Sequence, residues 1–295
     1  MATETGVERA TRTGQDGYES GASALASAYA PGAETERPAP QEAPNWGRAL
    51  LKGAVGLLAV ALLVAGWWAV AVLGNYPDFI LPTPLAVART AWAMLLDGSL
   101  LIHTWTTVVE AGLGFLTALL IGLTMGYLIA HSHLLERLIS PYIAVSQGLP
   151  VVAIAPLLFI WIGDDLVRKV VVVVLIAFFP MLVNTIVGLR GIERSMLEVA
   201  RISGANLWQT IWYVELPLSM RALLGGVKLG MTLSITGAVV GEIIAPQFGL
   251  GSLLMLGRGL FNTSLVFVGL VSLAVLTVAA YMLVTLLEKV LITWD

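Results

Sequence analysis

Residues 170–189 read VVVVVLIAFFPMLVNTIVGL, a run of twenty residues that contains no Asp, Glu, Lys or Arg. The hydrocarbon core of a bilayer is about 30 Å thick, and a helix of about 20 apolar residues crosses it. Because the run is continuous and does not alternate between apolar and polar residues, it predicts a membrane-spanning helix and not a barrel strand.

Similar apolar runs lie on both sides of this stretch. The chain of 295 residues is 58% hydrophobic and only 12% charged, about half the charged fraction usual in soluble domains. We therefore predict an all-α integral membrane protein whose transmembrane domain covers residues 46–295. A hydropathy window indicates about six transmembrane helices, near residues 51–73, 104–130, 141–162, 166–189, 219–244 and 264–287.

Two segments do not fit the pattern of a span. Residues 1–45 are rich in Ala, Gly, Glu, Thr and Pro without hydrophobic periodicity, which predicts a disordered cytoplasmic tail. Residues 75–100 are too interrupted to cross a bilayer, but Leu85, Trp92 and Leu95 have helical spacing. This segment fits either a helix lying on the outer membrane surface or a packed extracellular connector.

The positions of Lys and Arg predict the orientation, because cytoplasmic loops carry more of them. With the N-terminus inside, eight basic residues lie at the inner boundary, namely Arg48, Lys52, Arg137, Arg190, Arg194, Arg201, Arg221 and Lys289. Only Arg89, Arg168, Lys169 and Arg258 lie outside. We therefore expect a multi-pass protein of the cell membrane with both termini and the loop 190–218 in the cytoplasm.

Composition excludes several functions. A formal net charge of −3 without a basic patch argues against nucleic-acid binding. The absence of Cys and the presence of only three His leave little for a metal site. No nucleophile–base pair or carboxylate cluster is evident, so we expect neither an enzyme nor a cofactor bound by this chain.

The loop 190–218 reads RGIERSMLEVARISGANLWQTIWYVELPL. Arg194, Glu198 and Arg201 are spaced to meet on one helix face. Gly204 can then close that helix in the left-handed conformation, and Asn206 can cap the next one. Pro217 marks the re-entry into the membrane.

The second half of the loop has an apolar face that carries two tryptophans. Leu207, Ile211, Val214 and Leu218 lie at helical spacing, and Trp208 and Trp212 lie one turn apart. An apolar, Trp-bearing face flanked by charges is typical of a docking surface for another protein. Packing of the same residues on the chain's own span ends explains the pattern equally well.

The residues Glu198-Val199-Ala200, then Gly204, then Val214 and Leu216-Pro217 resemble the cytoplasmic motif of ATP-binding-cassette (ABC) importer permeases. Val199 departs from that motif, since Ala is common there. The similarity extends over residues 75–290 and includes Leu81–Pro84, Gly148-Leu149-Pro150 and Asn184-Thr185. Within this superfamily the chain most resembles the branch for nitrate, sulfonate, taurine and thiamine-precursor uptake.

The resemblance implies a set of partners. These are a second permease copy, forming a homodimer in the lipid bilayer, two cytoplasmic ATPase subunits that hold ATP and Mg, and an extracytoplasmic substrate-binding protein. The implied ATPase-coupling residues are Glu198, Ala200, Arg201, Ser203, Gly204, Leu207 and Pro217. The sequence supports this division of labour independently, because none of the four lysines lies in a Gly-x-x-x-x-Gly-Lys-Ser/Thr loop.

Polar groups and helix breaks inside a membrane span are energetically costly and usually face protein or water, so they are candidates for the transport pathway. The candidates are Glu110, Gln147, Pro150, Pro156 and Glu242, and Lys228 is a third intramembrane charge. Related permeases often carry Arg at the position of Glu110. Two other roles fit: Glu110 as a buried hydrogen-bond partner of Thr106 or Thr107, and Glu242 as an interfacial carboxylate in contact with water.

Two carboxylates and one lysine favour a neutral or weakly charged heterocyclic cargo, such as riboflavin or a thiamine pyrimidine, over nitrate, a sulfonate or taurine. An ion-coupled secondary transporter that uses Glu110 and Glu242 as titrating sites is the main alternative. A third possibility is a non-transporting assembly subunit in which Pro and Gly shape helix contacts.

Overall fold

A computed structural model describes residues 46–148 and 150–291. The predicted disordered tail, residues 1–45, lies outside the described residues. Every regular element in the described ranges is a helix: α1 (Trp46–Leu73), α2 (Pro84–Leu96), α3 (Ser99–His131), α4 (His133–Gly148), α5 (Val151–Trp161), α6 (Asp165–Arg190), α7 (Arg194–Ile202), α8 (Leu207–Thr210), a π-helical turn (Ile211–Glu215), α9 (Leu216–Ile244), α10 (Leu250–Gly259) and α11 (Thr263–Leu291).

Five stretches of the described chain are long and apolar enough to cross a membrane. They are Ala54–Leu73, Ser99–His131, Asp165–Arg190, Leu207–Ile244 and Thr263–Leu291. Each contains or largely overlaps one of the predicted spans. A helix of about 20 residues is long enough to cross a bilayer.

The predicted span at 141–162 is wrong as a single helix. The structure has two shorter helices there, because α4 ends at Gly148 and α5 begins at Val151. Pro150 lies between them in an extended conformation, with φ −69° and ψ 108°. Proline has no amide hydrogen to donate to the preceding turn, so it ends the helical hydrogen-bond pattern at this point.

Contacts divide the chain into a unit that ends at Leu62 and a unit that begins at Leu63. In the first unit, the described side chains of α1 from Ala54 onward are exposed. In the second unit, α6 packs between α3 and α9. The close approach of the three helices is seen at Val173 of α6. A Cβ built on Gly114 of α3 would lie 2.3 Å from Val173 Cγ1, and a Cβ built on Gly237 of α9 would lie 2.8 Å from Val173 Cα. Glycines therefore bring three long helices into close contact.

The predicted surface helix is present as α2. The Thr83 hydroxyl caps it by accepting a hydrogen bond from the Ala86 amide at 3.3 Å. Val87 is buried and packs with Leu100 of α3 and with residues of α10 and α11, whereas Leu85 and Trp92 are exposed. One face of α2 is thus packed on the protein and the other is free, so the helix combines features of both sequence-based alternatives.

Candidate coupling surface and transport pathway

The segment between α6 and α9 folds as a helix, a glycine corner and a second helix, as predicted. Gly204 has a φ of +75°, the left-handed conformation that glycine adopts without steric cost. The Ala205 amide donates to the Ala200 carbonyl at 3.0 Å, and the Gly204 amide donates to the Arg201 carbonyl at 3.0 Å. These bonds satisfy carbonyls at the end of α7, where helical donors are missing.

The next helix begins with a capping box. The Asn206 side-chain oxygen accepts from the Gln209 amide at 2.9 Å, and the Gln209 side chain accepts from the Asn206 amide at 2.9 Å. From Leu207 the chain stays helical to Ile244, with Pro217 in the first turn of α9. A wide π-helical turn lies just before Pro217, and in it the Leu216 amide donates to the Ile211 carbonyl.

We define the coupling surface as the exposed part of residues 194–210. Its apolar side chains are strongly exposed: Ile202 at 87%, Leu207 at 71% and Trp208 at 69%. The structure therefore does not show these side chains packed on the chain's own span ends. Most of the predicted coupling residues are on this surface, and they are Glu198, Arg201, Ser203, Gly204 and Leu207. Ala200 is buried and Pro217 is half-buried, so these two shape the segment from inside.

Polar contacts that the sequence did not reveal tie both ends of the coupling segment to neighbouring helices. Arg190, at the end of α6, pairs with Glu136 of α4 and donates to the Ile129 carbonyl at 3.1 Å. The hydrogen bond from Arg190 holds the pKa of the Glu136 carboxyl below its usual value. On the other side, His131 Nε2 lies 3.0 Å from Glu215 Oε1 in the π-helical turn.

Glu110 is buried inside the bundle, with 2% of its surface exposed. Its Oε1 accepts a hydrogen bond from Lys169 Nζ at 2.9 Å, and the same ammonium lies 3.0 Å from Asp165. The expected partner of Glu110 is therefore wrong, because the Thr106 hydroxyl donates to the Ile102 carbonyl of its own helix and the Thr107 hydroxyl donates to Glu242.

Glu242 is also fully buried, which contradicts an interfacial carboxylate in contact with water. Its carboxylate accepts from the Thr107 hydroxyl at 2.6 Å and from the Gly251 amide at 2.5 Å. Thr107 Oγ1 in turn accepts from the Leu250 amide at 2.8 Å. We call this cluster the outer clamp; it consists of the side chains of Glu242 and Thr107, the amides of Leu250 and Gly251, and Gly249. It fastens the start of α10 to α3 and α9.

The remaining pathway candidates are Pro150, Pro156 and Gln147. Pro150 and Pro156 are exposed in the described chain, and the side chain of Gln147 lies outside the described part. Next to Pro150, a cavity of about 550 Å³ opens between α5, α6 and α9, with Val151, Phe179, Asn184 and Leu229 in its walls. We call it the central cavity.

Comparison with known proteins identifies the class to which this arrangement belongs. Residues 118–292 match the family described as "Binding-protein-dependent transport system inner membrane component". The match covers more than half of the chain, so the protein belongs to this family.

Named relatives are permease subunits. The riboflavin transport system permease protein RibX of Chloroflexus aurantiacus is 48% identical over 82% of this chain and 91% of its own length. The putative aliphatic sulfonates transport permease protein SsuC of Bacillus subtilis is 34% identical over 81% and 87%. The formylaminopyrimidine transport permease protein ThiX of Halalkalibacterium halodurans is 28% identical over 73% and 86%.

The fold itself matches a solved ABC transporter. The chain superposes on a chain of the MetNI methionine transporter with a TM-score of 0.56 and 18% identity, covering 64% of this chain and 94% of that one. The protein is thus a multi-pass inner-membrane permease subunit of an ABC importer and not an enzyme, and its ATPase is a separate chain. Family membership also disfavours the ion-coupled secondary transporter.

Proposed function

We propose that the protein forms the translocation pathway of an ATP-driven importer as a homodimer in the lipid bilayer. ATP and Mg are held by cytoplasmic ATPase subunits, and an extracytoplasmic binding protein delivers the cargo. Both termini and residues 190–218 are in the cytoplasm. The observation that carries this proposal is the exposed helix–glycine–helix of residues 194–210, which connects directly to two membrane helices, α6 and α9.

The chemistry of the coupling surface supports contact with another protein. Apolar side chains of the size of Ile202, Leu207 and Trp208 are costly to leave in water, and clusters of this kind mark interaction sites. Glu198 and Arg201 flank them and would set the register of docking. Because α7 follows α6 and α8 precedes α9, closure of an ATPase dimer around this surface would move both helices and change the access of the pathway between them.

The proposed cargo is a vitamin or heterocyclic precursor, with riboflavin favoured. The identity to a riboflavin permease is 48%, against 34% to a sulfonate permease. The buried ion pair of Glu110 and Lys169 and the buried Glu242 leave these charges engaged within the helix bundle, so they do not support a site for a charged cargo.

Cross-linking tests the coupling surface directly, because the chain contains no cysteine and every introduced thiol is unique. We expect Ile202→Cys and Leu207→Cys, both at exposed positions, to cross-link to the ATPase subunit in membranes. Ala200→Cys is the matched control, since Ala200 is on the same helix but buried, and it should remain unreactive. Failure of both exposed variants to capture an ATPase would refute the proposed docking.

Uptake tests the glycine corner. A Cβ built on Gly204 meets nothing within 4 Å, so a larger side chain has room in the chain itself, and only the left-handed backbone adds about 1–2 kcal/mol of strain. We expect Gly204→Val to insert normally but to separate ATP hydrolysis from uptake. Gly204→Asn, which tolerates this backbone, should retain more uptake. Uptake at the wild-type rate in Gly204→Val, at equal expression, would contradict the coupling role.

A further inference from the structure

The central cavity lies at the middle depth of the membrane helices. Pro180, in its wall, is ten residues from the inner end of α6 at Arg190 and fifteen from the outer end at Asp165. At about 1.5 Å per residue, these separations are about 15 Å and about 22 Å. The cavity of about 550 Å³ falls within the range of about 300–1,000 Å³ typical of small-molecule sites.

The walls of this cavity are the helices that the coupling segment joins. Phe179 and Asn184 belong to α6, and Leu229 belongs to α9. The two helices touch at Asn184, because a Cβ built on Gly226 would lie 2.7 Å from the Asn184 Cβ. Any displacement of the coupling segment therefore acts on the walls of the central cavity, as expected for a site whose access changes during transport.

An aromatic ring on the cavity wall is held by a second ring behind it. Phe178 and Phe179 pack edge to face, with ring centroids 5.0 Å apart and an interplanar angle of 67°. Phe178 also packs against the buried cluster of Ala118, Ala177 and Met181, whereas Phe179 lines the cavity. The ring of Phe179 is thus supported from the core and available to a planar ligand on the cavity side.

Hydrogen-bond acceptors lie one turn away from that ring. The Asn184 amide nitrogen donates to the Pro180 carbonyl at 2.8 Å, and its Oδ1 has no hydrogen-bond partner in the part of the chain that the structure describes. Pro180 also lacks the amide that would pair with the Ile176 carbonyl in a regular helix. Both Asn184 and Ile176 line the cavity, so the site offers acceptors to an N–H donor.

The described lining of the central cavity contains no Asp, Glu, Lys, Arg or His. A sulfonate or another permanent anion would lose its hydration there without gaining a cationic partner, which is strongly unfavourable. An uncharged aromatic heterocycle loses little on entering such a site.

We propose that the central cavity is the intramembrane cargo site, and that it binds an uncharged planar nitrogen heterocycle stacked on Phe179 with an N–H group donated to Asn184. This inference rests on the proposed import function and deepens it. It assigns the choice of cargo class to α6 of the permease, in addition to any selection by a binding protein.

Equilibrium binding tests the site. Riboflavin is the probe, because its intrinsic fluorescence lets binding be followed by the rise in anisotropy, and the sample is the purified permease–ATPase complex without binding protein. We expect Phe179→Leu to weaken binding about 2- to 10-fold through loss of stacking. Asn184→Leu should weaken it about 3- to 10-fold through loss of a hydrogen bond. Val174→Ala is the matched control, because Val174 is also on α6 and packs on the same buried cluster but does not line the cavity; it should lower thermal stability but leave the riboflavin Kd unchanged.

The outcomes separate this inference from the proposed function. Taurine should not displace riboflavin, and competitive displacement would overturn the proposed cargo class. Unchanged affinity in both Phe179→Leu and Asn184→Leu, with ATP-driven riboflavin uptake intact, would overturn the site alone. If those variants instead dissociate the permease dimer without affecting riboflavin, the second copy fills the cavity and the site is refuted. Absence of any ATP-dependent uptake by the wild-type complex would refute the import function itself.

Discussion

Removing the Lys169 ammonium should destabilise the protein far more than removing a lysine at a more accessible ion pair. Lys169 and Glu110 are 1% and 2% exposed, and their charged atoms lie 2.9 Å apart. In Lys169→Met, the Glu110 carboxyl would be left inside the bundle without its cation, and its charge would be uncompensated unless the carboxyl takes up a proton. Breaking a buried pair in this way costs about 3–5 kcal/mol.

Replacing Glu110, the partner of Lys169, should lower the free energy of unfolding by less than replacing Lys169 does. This difference makes the test more stringent. In Glu110→Gln, Lys169 still has Asp165 at 3.0 Å, and the Asp165 side chain is 30% exposed and can be hydrated. We therefore expect about 1.5–3 kcal/mol for Glu110→Gln, the net value of a hydrogen bond to a charged group. The double variant should be more stable than Lys169→Met alone, because it carries no unpaired buried charge.

Unfolding by denaturant in detergent micelles, followed by tryptophan fluorescence, measures these differences. Lys228→Met is the matched control: Lys228 pairs with Glu288, but the two side chains are 20% and 29% exposed. Because this pair is only partly buried, breaking it should cost less than breaking the fully buried pair. A destabilisation by Lys169→Met no larger than that of Lys228→Met would show that the buried pair does not hold α3 against α6.

The outer clamp and the coupling segment give three further predictions. Gly249→Ala should lower the unfolding temperature clearly, because its φ is +119° and a Cβ would lie 2.2 Å from the clamp carboxylate, whereas Gly225→Ala, with open space around it, should not. Thr107→Val should destabilise the protein by about 2–3 kcal/mol in the same denaturant assay, since it leaves a buried carboxylate and an amide without their shared partner. Asn206→Ala should cost about 1 kcal/mol as a lost helix cap, and hydrogen exchange should accelerate at residues 207–210 while the membrane spans remain unchanged.

The coupling segment was predictable because its signals are local. Gly204 follows a charged helix and can adopt a positive φ, and Asn206 precedes Gln209 by three residues, which defines a capping box. Each of these features needs only neighbours within one or two turns. That Ile202 is exposed could also be predicted from local sequence. The exposed fraction of its side chain could not, because it depends on whether the rest of the chain packs against it.

The third predicted span shows where hydropathy misleads. Residues 141–162 are apolar enough to cross a membrane, and a window average does not register that Pro150 interrupts the backbone hydrogen bonds. Proline is tolerated in many membrane helices when neighbours satisfy the freed carbonyls, so the break depends on tertiary context and not on composition.

The buried polar contacts could not be predicted because they join distant parts of the chain. Lys169 follows Arg168 at the edge of a span, and the sequence places both in the outer water. Its partner Glu110 is 59 residues away, and no local spacing connects them. Glu242 was expected in the transport pathway or in contact with water at the interface, yet it binds Thr107, 135 residues away. Inward-facing and outward-facing charges become distinguishable only when the helices are packed.

The π-helical turn lies directly before α9, at a point where this long helix can bend relative to the coupling surface. Wide turns and prolines are common places for helices to bend, and both occur within residues 211–217, next to the coupling surface. Beyond them α9 continues for 29 residues, a rod of about 44 Å at about 1.5 Å per residue. A rotation of α9 by only about 5° about this point moves its far end by about 4 Å. This displacement is larger than the length of the hydrogen bonds that Glu242 makes there. A small displacement at the coupling surface is therefore geometrically sufficient to break the hydrogen bonds of Glu242 at the other end of α9.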